Sequence, residues 1–226
     1  RKSFDNPIDW IDKNLYFRLK NAGYKKTKEE FKSLLLKTAH TMVPKINFST
    51  ILTGGIDSTL ISYILKNYKN HKNFIGINNF GKDEAYNNIS NLNKFFNLKK
   101  HLNIYCDEAV YNKFLIDTYK KINMPFITHD NVGRNMLFQK IRKTKQKVIF
   151  GGDGADELLG GYKIYEKINW NKDLKKNKSP YSAVIMKNDP TRNYWSKILS
   201  KYRKFLPAKE ANIQASLYLD YFYQCI

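Results

Sequence analysis

Along this chain, short continuous apolar runs alternate with longer stretches in which apolar residues return every third or fourth position. Runs of the first kind read as buried strands and stretches of the second kind as amphipathic helices. Phe31, Leu34, Leu35, Ala39 and Met42 line one helical face. Thr27 and Glu30 stand ahead of them at capping-box spacing, and Pro44 closes the pattern. Residues 1–24, broken by Pro7 and Gly23, are expected to be irregular. Asn47–Leu52 reads as a strand that runs straight into Thr53-Gly54-Gly55-Ile56-Asp57-Ser58-Thr59. A helix pattern (Leu60, Ile61, Ile64, Leu65) follows. Asn73–Ile77, Leu102–Tyr105 and Lys147–Phe150 are further strands, and Asp83–Asn97, Glu108–Ile122 and Asn131–Lys143 are helices. The last strand opens into a second glycine-rich turn, Gly151 to Tyr162. Beyond it, Lys163–Pro180 is polar, and Arg192–Phe205 and Ala208–Tyr223 are helices split by Pro207.

Alternating strands and helices predict an α/β fold, a parallel sheet sandwiched by helices, with a C-terminal helical extension. Ligands in such sheets sit beyond the carboxyl ends of the strands. Both glycine-rich turns fall at strand carboxyl ends, so one crevice is expected to hold both. The expected organisation is an irregular segment over 1–24, an α/β domain over 25–162 that carries both turns and a basic helical extension over 163–226.

The first turn has the chemistry of a phosphate cradle. Glycines let the backbone come close to an anion, and successive amides at a helix N-terminus form a nest for it. Thr53, Ser58 and Thr59 add hydroxyl donors, and Asp57 suits a Mg²⁺ that in turn holds phosphate. No Lys follows Gly55, so this is neither the Gly-Lys-Ser/Thr nucleotide loop nor GxGxxG. The second turn, Gly152-Asp153-Gly154-Ala155-Asp156-Glu157-Leu158-Leu159-Gly160-Gly161-Tyr162, sets three carboxylates among glycines. Packed together they repel unless a cation joins them, although carboxylates also suit the first turn of any helix.

The first turn resembles the Ser-Gly-Gly-x-Asp-Ser signature of the ATP pyrophosphatase (PP-loop) superfamily, with Thr53 in the place of the Ser. The second resembles the Gly-Glu/Asp-Gly-x-Asp-Glu-Leu-Phe-Gly-Gly-Tyr signature of the asparagine synthetase family. Phe74-Ile75-Gly76-Ile77 and the Asp83-Glu84…His101 segment extend the likeness, which covers roughly Glu29 to Tyr162. The resemblance implies an adenine nucleotide alpha-hydrolase-like fold and an AMP-forming carbon–nitrogen ligase using ATP and Mg²⁺. A carboxylate, aspartate first, would be adenylated and then amidated by ammonia or an amine. By the same resemblance Leu52 and Ile75 contact adenosine, partly through backbone. Thr53, Gly54, Gly55, Asp57, Ser58 and Thr59 hold pyrophosphate. Gly151 and Gly152 pass near the ribose or adenine, Asp57 and Asp156 hold Mg²⁺, and Asp153 takes the catalytic carboxylate position near the amine.

The family's N-terminal glutaminase domain with its nucleophilic Cys has no room before Thr53. Its Arg-x-Pro-Phe-Leu-Asp segment and catalytic Lys have no counterpart in Lys163–Ile226. The expectation is a synthetase domain cut short at both ends, with a separate glutaminase domain or subunit as a nitrogen source. A partner-dependent or non-catalytic Mg-ATP-binding fragment is the second reading.

Composition adds a third. The 226 residues carry 40 Lys+Arg against 20 Asp+Glu, a formal charge of +20, which raises a PP-loop enzyme that modifies tRNA. The excess is 34 Lys with only 6 Arg, beside 25 Asn. Recognition of phosphate and bases by geometry favours Arg, so compositional bias is the preferred account and nucleic acid is not the expected partner. Cys106 and Cys225 alone exclude a disulfide-rich scaffold. The length supports a full hydrophobic core, and no apolar run can span a membrane. A cytoplasmic protein acting on small molecules is expected.

Overall fold

The computed structural model describes residues 11–78, 89, 91–92, 94–97, 99, 101–122, 130–162 and 191–225. The chain forms two compact units, Lys32–Gly152 and Arg1–Phe31 with Asp153–Ile226. Most of the helix expected over Asp83–Asn97, and the polar stretch Lys163–Pro180, lie outside the described residues.

The unit Lys32–Gly152 is built on four parallel strands: β1 (Phe48–Ile51), β2 (His71–Asn78), β3 (His101–Tyr105) and β4 (Val148–Phe150). They lie in the order β3-β2-β1-β4. Phe48, Ser49 and Thr50 pair with Val148, Ile149 and Phe150. On the other edge Phe48 pairs with His71, and an irregularity in β2 then brings Phe74 and Ile75 opposite Thr50 and Ile51. Strand residues alternate between two faces, and both are covered. On one face Phe48, Val148 and Phe150 pack with Ala39 of α1 (Lys13–Met42), with Val43 just after it, and with Ile61, Ile64 and Leu65 of α2 (Ile56–Leu65). On the other, Ile51, Ile75, Leu102, Ile104 and Ile149 pack with Leu137 and Ile141 of α4 (Asp130–Lys143). α4 also meets α3 (Glu108–Ile122) through Asp117, whose Oδ2 accepts bonds from Gln139 at 2.7 Å, Lys121 at 2.8 Å and Asn135 at 3.0 Å. Those donors hold the carboxyl below its usual range.

For a central strand, β1 is polar, and its hydroxyls are satisfied internally. Ser62 of α2, fully buried, donates to the Ile51 carbonyl at 2.9 Å, and its Oγ lies 2.9 Å from Thr50 Oγ1. Thr50 Oγ1 lies 3.1 Å from His71 Nε2, and Ser49 bonds Gln146. These contacts fasten α2 onto β1 where apolar packing alone would leave buried polar atoms unpaired.

The other unit departs from the sequence expectation at its start. Residues 13–22 are helical, not irregular, because Asp12 Oδ1 accepts from the amides of Asn14 (2.8 Å) and Leu15 (3.1 Å) and so caps α1. α1 is two helical runs joined at Gly23, which has φ 77° and ψ 165°. Thr27 is therefore not an N-cap. Its hydroxyl donates to Leu19 O across the joint at 2.9 Å, and Glu30 pairs with Arg18 at 2.8 Å. The remaining elements are α5 (Ala155–Leu159), α6 (Thr191–Arg203) and α7 (Ala208–Cys225). Tyr16 donates to Glu210 of α7 at 2.8 Å, and Phe17 and Tyr16 set their rings edge-on against Phe205. Among the described residues no helix is long and apolar enough to cross a membrane.

Two outcomes follow for this unit. Gly23→Ala forces a Cβ into a conformation open to glycine alone. The expected loss of about 1–3 kcal/mol is read from urea denaturation. Burial and the adjacent Glu210 carboxylate push the Tyr16 phenol up to about 12, and burial does the same to Tyr202. In the unfolded chain both titrate near their ordinary value of 10.0. Their contribution to stability is therefore complete below that pH and is lost as pH rises through about 12. Tyrosinate absorbance should show Tyr16 and Tyr202 among the late-titrating phenols, with one late phenol fewer in Tyr16→Phe.

Candidate active site

The strand order reverses between β1 and β4. In open α/β sheets such a switch point opens a crevice at the carboxyl ends of the strands. Thr53-Gly54-Gly55 leaves β1 there and Gly151-Gly152 leaves β4 beside it.

Gly54 has φ 89°, the left-handed region, and Gly55 is the N-cap of α2 with no side-chain cap bond. Helix geometry leaves the first-turn amides without intrahelical acceptors, and Asp57 lies in that turn. Ser58, almost wholly buried, organises the loop from below. Its hydroxyl donates to Gly55 O at 3.3 Å and accepts from the Thr53 amide at 3.2 Å. Thr53 Oγ1 lies 2.9 Å from the same oxygen. Thr53 and Ser58, expected as phosphate donors, are thus engaged in shaping the turn. Thr59 Oγ1 is buried without a hydrogen-bond partner.

Gly152 closes the other side. A Cβ there would stand 2.7 Å from Asp57 Cβ and 2.8 Å from both Asp57 C and Ser58 N. Any side chain at this position would be driven onto the amide end of α2, so glycine keeps that end open. Leu52 and Ile75 are at the crevice edge, but their side chains are fully buried in the core. What they can offer a ligand is backbone, and the Leu52 amide already donates to Ile75 O at 2.9 Å. Ten of the candidate residues (Leu52, Thr53, Gly54, Gly55, Asp57, Ser58, Thr59, Ile75, Gly151, Gly152) therefore belong to one unit and gather around one loop.

Asp153 and Asp156 belong to the other unit. Asp153 is exposed and Asp156 half-buried. α5 is bracketed by Gly154 (φ 89°) and Gly160 (φ 75°). The amides of Gly160 and Gly161 donate to Asp156 O at 2.8 and 3.0 Å. Asp156 Oδ1 lies over Gly161, where a Cβ would approach it to 1.6 Å. Glu157, the third carboxylate of the motif, is buried and accepts from Tyr162 OH at 3.1 Å. Its place is structural, and the tyrosine that ends the motif is its partner. Among the described residues no group of three or more His, Cys, Asp or Glu gathers as a metal cluster.

His101, which closes the Asp83-Glu84…His101 segment, received no role in the site from the sequence. Its Nε2 is 3.1 Å from Leu52 O, immediately before the loop. Its position past the Asp83-Glu84 segment was the sequence signal. Cys106 is half-buried, and burial and Asp107 push its thiol up, away from nucleophilic character.

A parallel sheet covered on both faces, with a glycine cradle and an open helix N-terminus at its switch point, defines an α/β protein of the nucleotide-binding class. Within that class, the chain belongs to the asparagine synthase family, which it matches over residues 30–221. The match continues past Tyr162, well beyond the reach of the two motifs. No curated protein matches the chain. Membership implies ATP use, an ATP-dependent amidation function of the ligase type, and small-molecule substrates.

Gly152→Ala tests the cradle. Its methyl group should weaken Mg-ATP binding, read by calorimetry, by at least about tenfold, the scale of one lost hydrogen bond, while circular dichroism stays unchanged.

Proposed function

We propose that this chain activates a small carboxylate, aspartate first among candidates, as an acyl-adenylate and passes the acyl group to ammonia or an amine. The observation that carries this reading is the close approach of Gly152 to the first turn of α2, which sets two glycine-rich backbone segments against the amide end of that helix. The buried, unpartnered Thr59 hydroxyl beside it supports the same reading.

The electrostatics favour a metal. Residues 46–65 and 148–162 contain no Lys or Arg, so neither motif brings a cationic side chain to a polyphosphate. Amides and the helix dipole supply partial charge only. A Mg²⁺ takes one or two carboxylates and completes its shell with phosphate oxygens and water, which suits Asp57 in the first turn of α2; the family signature offers Asp156 as the other candidate. When bound, it supplies charge to the departing pyrophosphate.

In the proposed reaction a substrate carboxylate oxygen attacks the α-phosphorus. The bond from that phosphorus to the bridging oxygen breaks, and pyrophosphate leaves. The Gly54, Gly55 and α2 amides hold the leaving group. Leu52 and Ile75 hold the adenosine through backbone atoms, with Gly151 and Gly152 alongside. The amine nitrogen then attacks the acyl carbon, AMP departs, and Asp153 takes the proton.

Exchange of labelled pyrophosphate into ATP, with a panel of carboxylates including aspartate, tests this directly. Exchange dependent on one carboxylate and on Mg²⁺ is expected. Protein that binds Mg-ATP and exchanges with none of them would exclude adenylation by this chain. Asp57→Asn should weaken Mg-ATP binding by at least about tenfold, as befits a lost charge-assisted contact. An unchanged affinity would remove Asp57 from the metal site.

A further inference from the structure

We propose that His101 is a positioning residue of the phosphate loop, holding the Leu52 carbonyl through a gap that Gly76 leaves in the middle strand. The inference deepens the ATP-site reading above and rests on it for its functional consequence.

His101 opens β3 and pairs in register with Phe74 of β2. Its ring nevertheless reaches past β2 to Leu52 O, beyond the end of β1, with Nε2 at 3.1 Å. One side chain thus links β3 to the end of β1 across β2. The crossing is possible because residue 76 has no side chain. A Cβ at Gly76 would stand 2.5 Å from Leu52 O and 3.0 Å from His101 Nε2. Cβ atoms stand out from the pleat, so carbonyl and ring meet above the face of β2, outside the strand ladder.

The chemistry fixes the proton. A carbonyl oxygen only accepts, so Nε2 must carry hydrogen, and the neutral ring is held in one tautomer. Burial lowers the His101 pKa, against the opposing effect of the bond to Leu52 O, and favours that neutral form.

The consequence falls on a single peptide plane. Leu52 O and the Thr53 amide belong to the same planar unit. Its oxygen is held by His101 and its nitrogen by Ser58 Oγ at 3.2 Å. The preceding amide is held by Ile75 O. Three consecutive backbone groups are therefore pinned just where the chain turns into the cradle. Losing the His101 bond frees the plane to rotate and lets Gly54 and Gly55 follow.

The test compares His101→Gln, which keeps an amide donor at similar reach, with His101→Phe, which keeps a ring and loses the donor. Amide hydrogen exchange without ligand reads the loop itself. In the Phe variant, exchange at residues 53–55 should accelerate about tenfold, one net hydrogen bond's worth, with strand amides unchanged. Mg-ATP affinity should fall by a similar factor, and the Gln variant should restore both. Gly76→Ala, whose methyl displaces Leu52 O, should behave like the Phe variant. Loop exchange indifferent to the donor, or Gln as damaging as Phe, would overturn the proposal. If exchange follows the donor but the wild-type chain binds no Mg-ATP, the tether stands and the ATP reading fails. Nitrogen NMR of the wild-type ring gives a variant-free check: Nε2–H is expected, and an Nδ1–H tautomer would sink the tether.

Discussion

Everything at the site depends on β1 being paired in parallel on both edges. Parallel pairing with β2 and β4 sends the strand ends to one side of the sheet. The two glycine-rich turns, far apart in sequence, then leave the sheet side by side. A register slip of one residue would exchange Phe48 and Thr50 with Ser49 and Ile51 between faces and carry the loop with them. The buried chain of Ser62, Thr50 and His71 resists such a slip, because its hydroxyls find partners in one register only.

The glycines of the two motifs and of β2 do different physical work. Gly54 and Gly154 adopt backbone angles that a side chain resists, whereas Gly76, Gly152 and Gly161 are places where something else must come close. Absence of bulk, more than presence of reactive groups, shapes the cradle. Neither motif contributes to the overall charge of +20, since neither contains Lys or Arg. An anion there would be held by amides and by whatever cation the carboxylates bring.

The periodicity was a good guide where one pattern governed one element. The four strands, and the helices over Glu108–Ile122 and Asp130–Lys143, lie within two residues of their expected ends, because apolar alternation and burial agree there. It failed at α1, where two local signals misled. Gly23 reads as a break, yet it joins two helical runs, and the Thr27/Glu30 spacing imitates a cap while both residues reach back across that joint. The site's residue types were visible in the motifs, but their division of labour was not. That Ser58 would be spent on the Gly55 carbonyl, Glu157 on Tyr162 and His101 on Leu52 depends on distances between elements, which spacing along a chain does not encode.

The brevity of α5 carries one more implication. Five residues between two positive-φ glycines cannot sustain a helix unaided. Its surroundings within its own unit include α7, whose Leu217 side chain would lie 3.6 Å from a Cβ at Gly160. The acidic signature is thus scaffolded by a segment far downstream of it. During synthesis, that signature can acquire its native shape only after the residues of α7 have emerged and docked, whereas every strand of the sheet lies upstream of it.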